Sequence, residues 1–209
     1  HIYASGGFLD DQAWHRNFWL YASGWTKMNK FINMFPNVGQ LLVHEEDRIY
    51  GVKYFTQSQG QSRVFYPEQQ GYYLFCDSDE DVRDDLLIDM LDPSGATPSN
   101  ANTRQSNKNW QEAEATIWNA WIPVRVRAMV KTGPTLFVAG PPDLIPEDDP
   151  SAPFEGRATG ELRAFNAESG EEIEQYQLPA SPVFDGLIAA DGCLFMSLEN
   201  GTLQCWNTP

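Results

Sequence analysis

The feature that most constrains this chain is a strand–turn–strand pattern that occurs three times. Leu41-Leu42-Val43 precedes Arg48-Ile49-Tyr50, Met129-Val130-Lys131 precedes Thr135-Leu136-Phe137, and Leu187-Ile188-Ala189 precedes Cys193-Leu194-Phe195. Each copy has an apolar run, a short polar turn and a second run carrying an aliphatic–aromatic pair. Short apolar runs bounded by turn residues read as antiparallel strands. The turns are His44-Glu45-Glu46-Asp47, Thr132-Gly133-Pro134 and Ala190-Asp191-Gly192. Asp-Gly is a strong hairpin signal, because a tight hairpin needs positive φ at both central residues.

Further strands follow each pair. After Phe195 the chain reads Met196 to Glu199, then Asn200-Gly201, then Thr202 to Trp206, so a two-residue hairpin is expected at Asn-Gly. After Phe137 a third strand is expected over Gly160–Phe165 and a fourth over Ile173–Leu178, joined at Ser169-Gly170. After Tyr50 the third is expected at Tyr72–Phe75 and the fourth near Trp118–Val124. At the N-terminus, His1–Ala4, Asn17–Tyr21 and Lys27–Met34 read as the strands of a partial copy. The unit is a four-stranded antiparallel meander, and its shortest full copy, from about Val126 to Pro179, is close to the ~40–50 residues of a propeller blade. Such copies bury both faces by stacking radially. The expected fold is all-β, a single partial β-propeller domain over 1–209 with about three to four blades. Closed propellers have ~4–8, so the remaining blades are expected on an absent part of the parent chain or on a partner. Two stretches fall outside the repeat. Residues 77–115 are polar and read as an inserted loop, with a short helix at Asp81–Met90, and residues 141–156 are Pro- and acid-rich and read as a second loop.

Composition narrows the partners. The formal net charge is −15, which repels phosphate backbones and anionic head groups, so neither nucleic acid nor membrane insertion is expected. No apolar run approaches the ~20 residues of a spanning helix. Three cysteines, Cys76, Cys193 and Cys205, form neither a CxxC nor a CxxCH motif and read as small strand or core residues. The chain begins at His1, which suggests a piece processed or excised from a longer protein.

The turn Ala164-Phe165-Asn166-Ala167-Glu168-Ser169-Gly170 resembles the quinoprotein-like (PQQ-like repeat) signature A-x-D-x-x-T-G-x-x-x-W. Phe184–Phe195 looks like the opening of the next blade, and Gly7–Arg16 resembles a segment of large propellers of this kind from planctomycete-type bacteria. The resemblance implies a structural motif of Ala164, Asn166, Ser169 and Gly170, with side chains bonding the turn's backbone and a Trp docking between blades. Asn166 replaces Asp, Ser169 replaces Thr, and Glu174 stands where the Trp is expected. The first two changes keep hydrogen bonding; the third removes a dock.

Asp10, Asp11, His15 and Arg16 make the densest polar cluster beside aromatics. A carboxylate pair with an imidazole supplies donors for Ca²⁺ or a transition metal, or an acid–base pair. With no further ligand in the spacing, mutual pairing within a loop is the simpler reading. Asp77, Asp79 and Asp81 alternate like a calcium loop, but Val82 and Ile88 replace the required Gly and Glu, so a solvated acidic loop is expected. His44 is expected as a surface turn residue, and the seven Trp as packing between sheets. The expected function is a non-catalytic binding or scaffold propeller of an exported or periplasmic bacterial protein, docking a protein or peptide. The resemblance also implies an alternative, a dehydrogenase holding pyrroloquinoline quinone through Ca²⁺, or a redox partner whose haem domain lies elsewhere. Members with that activity carry a vicinal Cys pair or a stacked Trp, and this chain has no Cys-Cys.

Overall fold

The structure, a computed structural model, describes residues 2–5, 18–21, 38–53, 72–79, 116–153, 155 and 157–207. Among these, all regular structure is strand: β1 (Ile2–Ser5), β2 (Phe18–Tyr21), β3 (Val38–Gly39), β4 (Leu41–Glu45), β5 (Arg48–Lys53), β6 (Tyr72–Ser78) and β7 (Thr116–Ile122). There follow β8 (Ala128–Thr132), β9 (Thr135–Gly140), β10 (Gly160–Asn166), β11 (Glu172–Leu178), β12 (Pro182–Ala190), β13 (Cys193–Leu198) and β14 (Leu203–Asn207). Sheet orders are β1-β2-β3, β4-β5-β6-β7, β11-β10-β9-β8 and β12-β13-β14, so each strand lies beside its neighbour in sequence. The chain divides into two compact units, residues 1–65 with 77–117 and residues 66–76 with 118–209.

In the first unit, β1 pairs antiparallel with β2, and Val38–Gly39 takes the other edge of β2. The expected strand at Lys27–Met34 lies outside the described residues, as does the expected helix at Asp81–Met90. The β4–β5 hairpin has a tighter turn than expected. Glu45 pairs with Arg48, leaving Glu46-Asp47 as the turn and His44 inside the strand opposite Ile49. Glu46 takes a φ of 54°, which a tight two-residue turn demands. The expected loop from residue 77 also starts later, because Asp77 and Ser78 complete β6.

In the second unit, β8, β9, β10 and β11 form the expected antiparallel meander. Both faces of this sheet are apolar. Leu136, Val138 and Phe165 are buried on one, and Ala128, Ala139 and Leu162 on the other. The second set packs with Leu187, Leu194, Met196 and Leu198 of the last sheet, with Phe137, Val130 and Trp206 at the margin. Burying each large aliphatic side chain stabilises by about 1.5–3 kcal/mol, so this contact supplies much of the unit's core. Where β12 bulges, the Asp185 amide donates to the Arg127 carbonyl at 2.8 Å, and Arg127 forms an ion pair with Glu199.

The two Gly-containing turns of the last sheet differ. Asp191 (φ 51°) and Gly192 (φ 74°) make the expected two-residue turn. Asn200-Gly201 does not. Leu198 pairs with Thr202, and the Gly201 amide donates to the Leu198 carbonyl at 3.0 Å, so Glu199-Asn200-Gly201 is a three-residue loop with only Gly201 at positive φ. Asn200 prefers to accept from the Thr202 amide and hydroxyl at 3.0 and 2.7 Å, an arrangement that stabilises the longer loop. The described part of residues 141–156 contains turns and one isolated bridge, Val124 to Pro142, in keeping with a loop.

Candidate functional site

The most elaborated site is the β10–β11 turn. Asn166 ends β10 with its side chain folded over the turn, where Oδ1 accepts from the Glu168 and Ser169 amides at 2.9 and 3.1 Å. The Ser169 hydroxyl accepts from the Glu171 amide at 3.3 Å. The Asn166 amide donates to the Glu171 carbonyl and the Gly170 amide to the Asn166 carbonyl, both at 2.8 Å. Asn166 and Ser169 thus both hold the turn by accepting from its backbone amides. Ala164 is buried in the same strand. Asn166→Ala is expected to cost about 1–2 kcal/mol, while Asn166→Asp, which keeps both acceptors, is expected to be close to neutral in thermal denaturation.

This turn is a receptor for Trp118. The Trp118 indole N–H donates to the Ala167 carbonyl at 2.9 Å, and the Ala167 amide is held by the Pro134 carbonyl at 2.8 Å. The ring lies against Gly170, whose φ is 74°. A Cβ at Gly170 would stand 2.5 Å from Trp118 Cε3 and 2.6 Å from Cδ2, so only glycine admits the ring. Trp118 comes from β7, so β7 is tied to the turn of the next meander. Glu174, at the position where this repeat's own Trp is expected, is exposed and accepts from the Tyr176 hydroxyl.

The last sheet is open on one face. Leu187, Leu194, Met196 and Trp206 face the shared core. The opposite face carries the row Ile188, Phe195 and Cys205, with Leu203 alongside. Ile188 is 59% exposed and Leu203 68%. By register Phe195 is the counterpart of Phe137, since each follows the buried leucine of its second strand. Phe137 packs on the next sheet, whereas the exposure around Phe195 marks a face of the same kind with its apolar residues in solvent.

Among the described residues of the first unit, one lysine and one aspartate are buried. Lys53 ends β5 at 4% exposure and Asp77 lies in β6 at 0%, so the expectation of a solvated acidic loop is wrong for Asp77. Its Oδ1 accepts from the Ser78 amide at 2.9 Å. Burial pushes the Lys53 ammonium down to about 7, against the attraction of Asp77. The apolar run Ile49 to Val52 ending in Lys53 was the available signal for a buried lysine. Nearby, His44 stacks on Tyr21 with centroids 4.5 Å apart and lies 3.3 Å from Asp79; it is exposed, as expected of a surface histidine, but within β4 rather than in the turn.

Asp10, Asp11 and His15 lie outside the described residues, as do Trp14, Trp25 and Trp110. A Ca²⁺ with its quinone needs converging carboxylates, and among the described residues no three His, Cys, Asp or Glu side chains converge. Among the described residues no helix is long and apolar enough to cross a membrane. No protein-family model and no curated protein matches the chain.

Proposed function

We propose that the chain forms consecutive blades of a β-propeller of the quinoprotein-like repeat type, acting as a non-catalytic binding scaffold. The observation that carries this reading is Trp118 seated on Gly170 and bonded to Ala167, since a Trp dock onto the neighbouring turn is what the A-x-D-x-x-T-G signature implies. The sequential sheet orders and the meander with two buried faces support it further, because a sheet apolar on both sides needs a neighbour on each. On this reading the open face around Ile188, Phe195 and Leu203 is the surface for remaining blades of the parent chain or for a protein partner.

A thermal-shift titration with pyrroloquinoline quinone and Ca²⁺ tests the non-catalytic part. No change in melting temperature and no dye reduction with alcohols are expected. A ligand present at 100 times its Kd stabilises by about 2.7 kcal/mol, so a saturable rise of the corresponding size would favour the dehydrogenase instead.

A further inference from the structure

The tip of the β13–β14 hairpin carries a reactive dipeptide. Asn200-Gly201 is the one Asn-Gly pair in the sequence, and Glu199, Asn200, Gly201 and Thr202 are all exposed. The side-chain amide carbon of an asparagine is open to attack by the backbone nitrogen of the next residue. A glycine in that place has no Cβ to hinder the approach and is the least restricted residue in a free chain. Crowding offers no barrier at this tip either, since a Cβ at Gly201 would meet nothing within 4 Å.

The folded loop holds both reacting groups in other bonds. The Gly201 amide, the nucleophile, donates to the Leu198 carbonyl at 3.0 Å, and its φ is fixed at 83°. Asn200 Oδ1, on the carbon to be attacked, accepts from the Thr202 amide and hydroxyl at 3.0 and 2.7 Å. The loop is anchored at its base. The Leu198 amide donates to the Thr202 carbonyl and the Glu199 amide to the Ser181 carbonyl, both at 2.9 Å, and the Glu199 carboxylate pairs with Arg127. Ring closure needs the Gly201 nitrogen to leave Leu198 and the Asn200 side chain to turn from Thr202. The reaction therefore proceeds from locally opened hairpins, whose population falls with every bond that must break.

We propose that Asn200 is a site of self-deamidation, held back by the β13–β14 hairpin and released when that hairpin opens. The Gly201 nitrogen gives its proton to solvent and bonds to Asn200 Cγ. The Cγ–Nδ2 bond breaks, and Nδ2 takes a proton from solvent and leaves as ammonia. Water then opens the cyclic imide, with no change in oxidation state. Breaking the new bond leaves an ordinary aspartate; breaking the original peptide bond leaves an isoaspartate, whose main chain runs through Cγ. The aspartate keeps an oxygen for Thr202 and adds a charge next to Glu199. The isoaspartate lengthens the main chain by one atom, which the three-residue loop does not accommodate. The site thus records openings of the last sheet in covalent form, and this chemistry is independent of the propeller reading.

The test is peptide mapping of the full chain by mass spectrometry, with enzymatic methylation of isoaspartate, after incubation in mildly alkaline buffer with and without concentrated urea. Asn200 is expected to convert at least about tenfold more slowly without urea, because three hydrogen bonds must open first. Thr202→Val removes one of them and is expected to convert about 2- to 10-fold faster than wild type in native buffer, at an unchanged rate in urea. Thr202→Ser keeps the hydroxyl and is expected to match wild type. Asn166→Ala loosens a different turn and is expected to leave the Asn200 rate unchanged, which separates local opening from general loss of stability. Circular dichroism checks that each variant is folded. Equal rates with and without urea would overturn the protection. A Thr202→Val rate at or below wild type, or an equal acceleration in Asn166→Ala, would overturn it as well. Absence of conversion in urea would overturn the site itself.

Discussion

Trp118→Ala is expected to lower the unfolding free energy by about 3–5 kcal/mol, the range for removing a buried aromatic from a packed site. The ring is 8% exposed and fills the space over Gly170. Its loss opens a cavity between β7 and the β10–β11 turn, and strands the Ala167 carbonyl that now accepts the indole N–H. Trp118→Phe separates the two contributions. It keeps most of the packing and removes only the hydrogen bond, so it is expected to cost about 1–3 kcal/mol. Urea denaturation followed by circular dichroism reads both. Because small domains hold a margin of only ~5–15 kcal/mol, the alanine variant is expected to populate unfolded chain at moderate temperature.

The second large effect is expected at Lys53 and Asp77. Asp77→Ala leaves a lysine at 4% exposure without the carboxylate that attracts it, and breaking a buried pair in this way costs about 3–5 kcal/mol. Replacing both, as in Lys53→Met with Asp77→Asn, removes the unbalanced charge and is expected to restore most of that loss. The pair also sets a pH dependence. The Lys53 pKa is about 7 in the folded state against 10.5 for an ordinary lysine. Between those values the unfolded chain holds the proton and the folded one does not, so stability rises with pH across the window. The gain is complete above about 10.5 and is lost as pH falls through about 7. The slope approaches about 1.4 kcal/mol per pH unit. Urea midpoints at pH 7, 8 and 9 are expected to climb in the wild-type protein and to lose that trend in Lys53→Met.

What the sequence revealed follows from where each signal resides. Strands whose apolar residues alternate and whose turns carry Asp-Gly were legible, and β12–β13 joins at Asp191-Gly192 as expected. Local chemistry failed where two turns suit the same dipeptide. Asn200-Gly201 serves a two-residue turn with both at positive φ or a three-residue loop with only the glycine so, and the Asn200 bonds to Thr202 select the second. The turn built on Asn166 and Ser169 was legible because its bonds are local. The partner of Trp118 was not, since the dock joins residues far apart in sequence. Lys53 with Asp77 escaped for the same reason, and a run of acidic residues reads as solvated until strand positions are known. The β13–β14 register escaped with it, since a two-residue Asn-Gly turn would have shifted every pair by one residue.

The account rests on one sheet being locked to the turn of the next through Trp118 and Gly170. A double-mutant cycle of Trp118→Ala and Gly170→Ala measures that lock. Gly170→Ala in the wild-type background suffers both the clash with the ring and the strain of positive φ; in the Trp118→Ala background only the strain, about 1–2 kcal/mol, remains. The predicted result is a coupling energy above about 1 kcal/mol, with the alanine at 170 far less damaging once the indole is gone. Additivity of the two losses within about 0.5 kcal/mol would contradict the dock, and with it the stacking of sheets on which the propeller reading depends.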